Sequence, residues 1–112
     1  NGLHGWDFSE AEYEQGLPVL IQFLRDRQPQ AALVWGQSTR VLHSIHLDPP
    51  RVEARNRLAD AVMTRLGVTI NPLYAATSER PELFSPDGVH YLPEGNEVLG
   101  AQAAALVRSQ LS

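Results

Sequence analysis

The run Ala31-Ala32-Leu33-Val34-Trp35, closed by Gly36, is apolar without a break and shows no alternation. A strand with one wet face alternates polar and apolar side chains. A continuous run of this kind therefore reads as a strand covered on both faces, as in a parallel sheet. Parallel strands need a crossover, and the flanking sequence supplies helices on either side.

Upstream, Asp7 to Gln30 reads as a helix. Ser9 followed by Glu12 is a capping box, in which hydroxyl and carboxylate each satisfy an N–H left over at the helix start. Tyr13, Leu17, Leu20, Ile21 and Leu24 fall on one face, while Gly16 and Pro18 inside the run are costly. Downstream, Gln37 to Pro50 is polar and irregular and ends in Asp48-Pro49-Pro50, so it reads as a loop. Pro50 suits the first turn of a helix through Leu66, with Val52, Leu58, Ala59, Val62, Met63 and Leu66 inward and Gly67 as its stop. Val68-Thr69-Ile70 makes a second strand, ended by Asn71-Pro72. Leu73 to Gly88 reads as a long loop with a helical turn near its start. From Pro93 the chain returns to helix, with Val98, Leu99, Gln102, Ala103, Leu106 and Val107 on one face.

The order helix, strand, helix, strand, helix predicts an α/β fold with right-handed crossovers. Two strands flanked by three helices leave long open edges. The expectation is a single partial domain over residues 1–112, the C-terminal part of a larger doubly wound sheet whose first strands lie before Asn1. Such a chain should be ordered only when another polypeptide, its own N-terminal segment or a second copy, covers the edge.

Composition narrows the function classes. The chain has 112 residues, 43% hydrophobic and 20% charged, which is the profile of a globular domain. Nine basic residues stand against thirteen acidic ones, and every basic residue is an arginine, spread from Arg25 to Arg108 without a cluster. That argues against a nucleic-acid surface or a polybasic membrane anchor. No apolar run approaches the roughly 20 residues of a bilayer span. The absence of cysteine excludes a disulfide framework, a thiolate zinc site and a cysteine nucleophile.

The segment richest in chemistry is Asp87-Gly88-Val89-His90, followed by Tyr91-Leu92-Pro93-Glu94-Gly95 at the opening of the last helix. A carboxylate three residues before a histidine on a loop can fold back to accept the Nδ1 proton. That fixes the tautomer and leaves Nε2 to take a proton from a nucleophile. Short-range acid and histidine pairs also arise by chance, so on spacing alone a solvated loop is the competing reading. His43-x-x-His46 could bring two imidazoles to one metal, but no third ligand stands near it, and a polar loop explains it without a metal. Glu94 and Glu97 suit the positive end of a helix dipole. Trp6 and Trp35 read as core or cleft-wall aromatics.

Asp-Gly-Val-His, then Pro-Glu-Gly, then an apolar-faced helix resembles the final block of SGNH/GDSL hydrolases. These are serine esterases with a three-layer α/β/α, flavodoxin-like sandwich built on a parallel sheet. The resemblance implies that Asp87 is the orienting carboxylate and His90 the general base. Gly2-Leu3-His4-Gly5-Trp6 resembles the family's third block, usually Gly-x-Asn-Asp, whose Asn donates to the oxyanion. Here His4 holds that register, and Asn1 is the other side-chain amide nearby. Ser38-Thr39-Arg40-Val41 is similar to the Thr-Thr-Pro-Val of many relatives. Arg55-Asn56 before a Gly-Val strand and Asn71-Pro72-Leu73-Tyr74-Ala75 extend the likeness to nearly the whole chain.

The sequence departs from the family at Gly5, Arg40, Pro72 and Leu92, where relatives carry an acid, Pro, Asp and Thr. The larger departure is that no Gly-Asp-Ser motif and no second-block Gly occur in residues 1–112. Among Ser9, Ser38, Ser44, Ser78, Ser85, Ser109 and Ser112, only Ser38, after a buried strand, is placed like a nucleophile, and it lacks a Gly-x-Ser-x-Gly elbow. The resemblance implies ester hydrolysis by acyl transfer to a serine supplied by an N-terminal segment of the same protein, with that segment or a second copy as the partner. No metal or organic cofactor is required. The alternatives are a non-catalytic carbohydrate- or partner-binding module with the same sandwich, and an esterase of acetylated sugars.

Overall fold

The computed structural model describes residues 9–43 and 49–111. Asn1, Gly2, His4 and Trp6, with Ser44, His46 and Ser112, lie outside the described residues.

Helix α1 runs from Glu10 to Arg27. It starts where the capping box places it: Ser9 Oγ accepts from the Glu12 amide, and the Glu12 carboxylate accepts from the Ser9 amide at 3.1 Å. The helix continues through Pro18 and ends at Arg27, three residues short of the expected Gln30. Strand β1 follows at Val34–Gly36, helix α2 at Pro49–Leu66 and strand β2 at Thr69–Asn71. The segment expected to be a long loop holds a short helix, α3 (Leu73–Thr77), and a single 3-10 turn at Pro81–Leu83; helix α4 (Pro93–Leu111) closes the chain.

The strands pair in parallel, Val34 with Thr69, Trp35 with Ile70 and Gly36 with Asn71, so α2 is the crossover between them. The C-terminus of α2 is fixed by Gly67, whose φ of +72° suits a residue without Cβ. The Val68 amide then reaches back to the Met63 carbonyl at 2.9 Å and the Gly67 amide to Thr64 at 3.2 Å, the paired bonds of a Schellman stop.

Because side chains alternate along a strand, Ile70 and Asn71 face opposite sides of the sheet. Ile70 and its partner Trp35 pack against a core of Leu17 and Ile21 from α1, Ala59, Val62 and Met63 from α2, and Val68. Asn71, on the other side, accepts a 3.0 Å bond from the amide of Gln102 on α4. The result is a three-layer α/β/α arrangement with α1 and α2 below the sheet and α4 above it.

Two expectations need correction. The strand is shorter than Ala31–Trp35 and is not covered on both faces: Val34 is 37% exposed. β2 offers three partner residues, so the ladder stops after three, and the side of the sheet that Val34 faces is thinly covered. The face Val98, Leu99, Gln102, Ala103, Leu106 and Val107 of α4 is likewise not buried. Gly95 is the one buried residue described in this helix, and Val107 is 51% exposed. A 19-residue helix is about 28 Å long, whereas a three-residue strand spans about 10 Å. Most of α4 therefore overhangs the strand on which it rests.

Candidate active site

The loop between the 3-10 turn and α4 is built from its own sequence. Phe84 and Tyr91 form an antiparallel bridge and pack their tilted rings with centroids 4.5 Å apart, which brings the ends of the loop together. The Ser85 amide donates to the His90 carbonyl at 2.8 Å, and the Gly88 amide donates to the Ser85 carbonyl at 3.0 Å. Ser85-Pro86-Asp87-Gly88 thus closes a four-residue turn, with Pro at the position where its fixed φ helps and Gly at the last. Gly88 has a φ of +76°, and a Cβ there would lie 2.7 Å from the His43 carbonyl and 2.8 Å from its ring. Only glycine fits this approach, which is sealed by a 2.8 Å bond from the Leu42 amide to the Gly88 carbonyl.

Inside this loop the Asp87 carboxylate is fully engaged. Oδ1 accepts from Ser85 Oγ at 2.8 Å, from the Val89 amide at 2.8 Å and from the His90 amide at 2.9 Å. Oδ2 faces His90 Nδ1 at 2.5 Å. These contacts, led by the His90 side chain and followed by the amides of Val89 and His90, hold the Asp87 carboxyl well below the usual carboxylate range. Asp87 is accordingly ionised at neutral pH and can only accept, so a neutral His90 carries its proton on Nδ1 and presents Nε2 as a base. The His90 side chain is 81% exposed. Among the described residues no group hydrogen-bonds Nε2.

The loop is tied to the rest of the fold through Tyr91. Its hydroxyl accepts from Thr77, fully buried at the end of α3, at 2.8 Å and donates to the Arg40 carbonyl at 3.4 Å. Arg40 in turn donates to the Ser78 carbonyl at 2.5 Å. Gly95 lets the first turn of α4 press on this assembly, since a Cβ there would meet the Tyr91 ring at 2.9 Å. The Thr77–Tyr91 bond joins segments 14 residues apart, and neither residue type announces it in the sequence.

Ser38 sits just past β1, with its amide donating to Asn56 Oδ1 at 3.0 Å and its carbonyl accepting from Asn56 Nδ2 at 2.7 Å. Asn56, 8% exposed, therefore uses its whole amide to fix the backbone of this loop. No hydrogen bond joins the Ser38 hydroxyl to His90 among the described residues. Among those residues there is also no cluster of three groups able to hold a metal ion.

A cleft of about 350 Å3 opens at the carboxyl ends of both strands, lined among others by Gln37, Glu53, Arg57, Asp60 and Tyr74. Neither Asp87 nor His90 lines it. Gln37 bridges Asp60, at 2.9 Å, to the Tyr74 amide, and the Tyr74 hydroxyl donates to Glu53 at 2.7 Å. Burial and then that carboxylate push the phenol up to about 12. On the far side of α2, Glu10 accepts from Arg51 at 2.7 Å and from the buried Arg55 at 3.2 Å. The Arg51 bond, with that of Arg55, holds the Glu10 carboxyl below its ordinary value. Arg55 also lies 5.0 Å from the Tyr13 ring. These contacts brace α1 against α2 and are remote in sequence from the Asp-x-x-His loop.

Comparison with solved structures settles the architecture. The esterase domain of the ORF1 protein of the zebrafish ZfL2-1 retrotransposon superposes with a TM-score of 0.82 at 20% identity, over 91% of this chain and 61% of that one. The fold is of the SGNH/GDSL type. A lipase/acylhydrolase from Enterococcus faecalis matches at a TM-score of 0.77 and 18% identity, over 93% of this chain and 54% of that one. A GDSL-like lipase from Parabacteroides merdae matches at 0.72 and 15%, over 88% and 49%. The chain thus spans about half to three-fifths of the solved chains it matches. No family model and no curated protein sequence matches it.

Proposed function

We propose that this chain supplies the histidine and carboxylate of a serine ester hydrolase, with the nucleophilic serine brought by a polypeptide segment outside residues 1–112. The observation that carries the reading is the 2.5 Å contact between Asp87 Oδ2 and His90 Nδ1 on the loop that enters the last helix of this fold. The naming of two superposing structures as an esterase and a lipase/acylhydrolase supports an ester as the substrate class.

In the mechanism, His90 Nε2 takes the proton of the serine hydroxyl as its oxygen attacks the ester carbonyl. The Asp87 carboxylate holds the imidazole in the Nδ1–H tautomer and stabilises the imidazolium that forms. The oxyanion contact is assigned by the resemblance to the third block that begins at Gly2, with His4 or Asn1 as the donor, a contact worth roughly 10²–10³ in rate for one donor. Collapse expels the alcohol, which takes its proton from His90. The imidazole then deprotonates the water that hydrolyses the acyl-serine.

The test is turnover of p-nitrophenyl acetate. The 112-residue chain alone is expected to be silent. Joined to the segment carrying a Gly-Asp-Ser motif it should turn over, and His90→Ala should abolish that activity. Turnover unaffected by His90→Ala defeats the proposal. Hydrolysis by the chain alone that disappears in Ser38→Ala would make Ser38 the nucleophile. A completed protein that folds and binds glycans or a protein partner without hydrolysing esters would be a binding module.

A further inference from the structure

The Asp87 carboxylate is symmetric, and nothing intrinsic to it decides which oxygen meets His90. The donors on Oδ1 decide it, and Ser85 supplies the side-chain one. All three polar groups of this residue are committed to the loop: its amide donates to the His90 carbonyl at 2.8 Å, its carbonyl accepts from Gly88 at 3.0 Å, and its hydroxyl donates to Asp87 Oδ1 at 2.8 Å. The amides of Val89 and His90 also fall on Oδ1, at 2.8 and 2.9 Å. Three donors on one oxygen leave Oδ2 as the atom directed at Nδ1.

We infer that Ser85 is a positioning residue for the Asp87–His90 pair: its hydroxyl locks the rotation of the carboxylate so that Oδ2 stays on Nδ1. The inference rests on the proposed hydrolase reading for its importance to catalysis, but not for its physics. The geometry also separates Ser85 from a nucleophilic role, because its hydroxyl proton is given to Asp87 and not to His90. Asp87 is 49% exposed, so water competes for both carboxylate oxygens, and a donor fixed by the Phe84–Tyr91 bridge is what outcompetes it. Without the hydroxyl, only the consecutive amides of Val89 and His90 remain on Oδ1.

The experiment is 15N NMR of the His90 ring in the folded protein, monomer or assembly, above the pH at which the imidazole is neutral. In the parent protein the two ring nitrogens should give well-separated shifts, the signature of one dominant Nδ1–H tautomer. In Ser85→Ala the two shifts should move toward each other and the Asp87 carboxyl titration should move up. Ser85→Thr, which keeps the hydroxyl, should restore both. In the completed hydrolase the same Ala variant should lose about 3- to 10-fold in kcat with little change in KM, the pattern of a group acting through the base. Ring shifts in Ser85→Ala that superpose on the parent, with the loop amides unchanged, overturn the inference. Equal loss in Ser85→Thr and Ser85→Ala also overturns it, because a backbone role would then explain the effect. Shifts that respond as expected in a protein that hydrolyses no ester leave the positioning role standing and defeat the hydrolase reading instead.

Discussion

The two faces of the sheet are built on different principles. On the α1/α2 face, Leu17, Ile21, Ala59, Val62, Met63 and Val68 are buried to 6% exposure or less, and apolar area removed from water holds the layer together. On the α4 face, Gly95 is the buried residue described in the helix, and the loop that leads into it is held by hydrogen bonds around a carboxylate that stands half in solvent. The first face carries stability, and the second holds the Asp87–His90 pair to which the proposed chemistry is assigned. Changes on one side should therefore leave the property of the other side intact.

The largest effect expected from that division is catalytic. On the proposed reading, Asp87→Asn in the completed hydrolase should cost about 10³–10⁴ in kcat by removing the acceptor that fixes the tautomer. Its melting temperature should fall far less than that of a core variant. A parallel collapse of stability and activity, read by thermal melting beside the assay, would break the comparison.

Met63→Ala is the converse change. Met63 is wholly buried in the α1/α2 core, and truncation should cost about 2–5 kcal/mol, seen as a lower denaturation midpoint. Val107→Ser on the overhanging part of α4 should cost under about 0.5 kcal/mol wherever no other polypeptide covers that part of the helix, since Val107 is 51% exposed. A second polypeptide laid over α4 would raise the cost of the Val107 change and leave that of Met63 unaltered.

Gly88→Ala tests the seam between the faces. The new Cβ would meet the His43 carbonyl at 2.7 Å on a backbone with φ of +76°, so the loop should lose about 1–3 kcal/mol of local stability. Hydrogen exchange at the Leu42 amide, which donates to Gly88, should accelerate while exchange in α2 stays slow.

The smallest effect is the acid response of the loop. The carboxyl of Asp87 is depressed in the folded state, so its contribution is present above the unfolded carboxyl range near pH 4 and is lost only as pH falls through the folded value below it. The Asp87 carboxyl carbon should show its own titration step only below about pH 4. A midpoint near the ordinary carboxylate value would mean that the Oδ1 donors are not formed in solution.

The same contrast governs what could be read from the sequence. The capping box at Ser9, the stop at Gly67, the inward face of α2 and the Asp-x-x-His pair depend on residues within a few positions of each other, and each was legible. The length of β1 and the coverage of α4 depend on what lies across the sheet. An apolar pattern states that a face suits burial without stating that anything buries it. The buried Arg55, its bond to Glu10 45 residues away, and the Thr77–Tyr91–Arg40 links were illegible for the same reason. Ser85 falls in a stretch that reads as loop, and only the folded turn places its hydroxyl on Asp87.

The most direct measurement of the central claim is labelling of the completed protein with a fluorophosphonate, which traps an activated serine, followed by peptide mass spectrometry. The account expects the label on a serine outside residues 1–112 and its loss in His90→Ala. A label that persists undiminished in His90→Ala would contradict it.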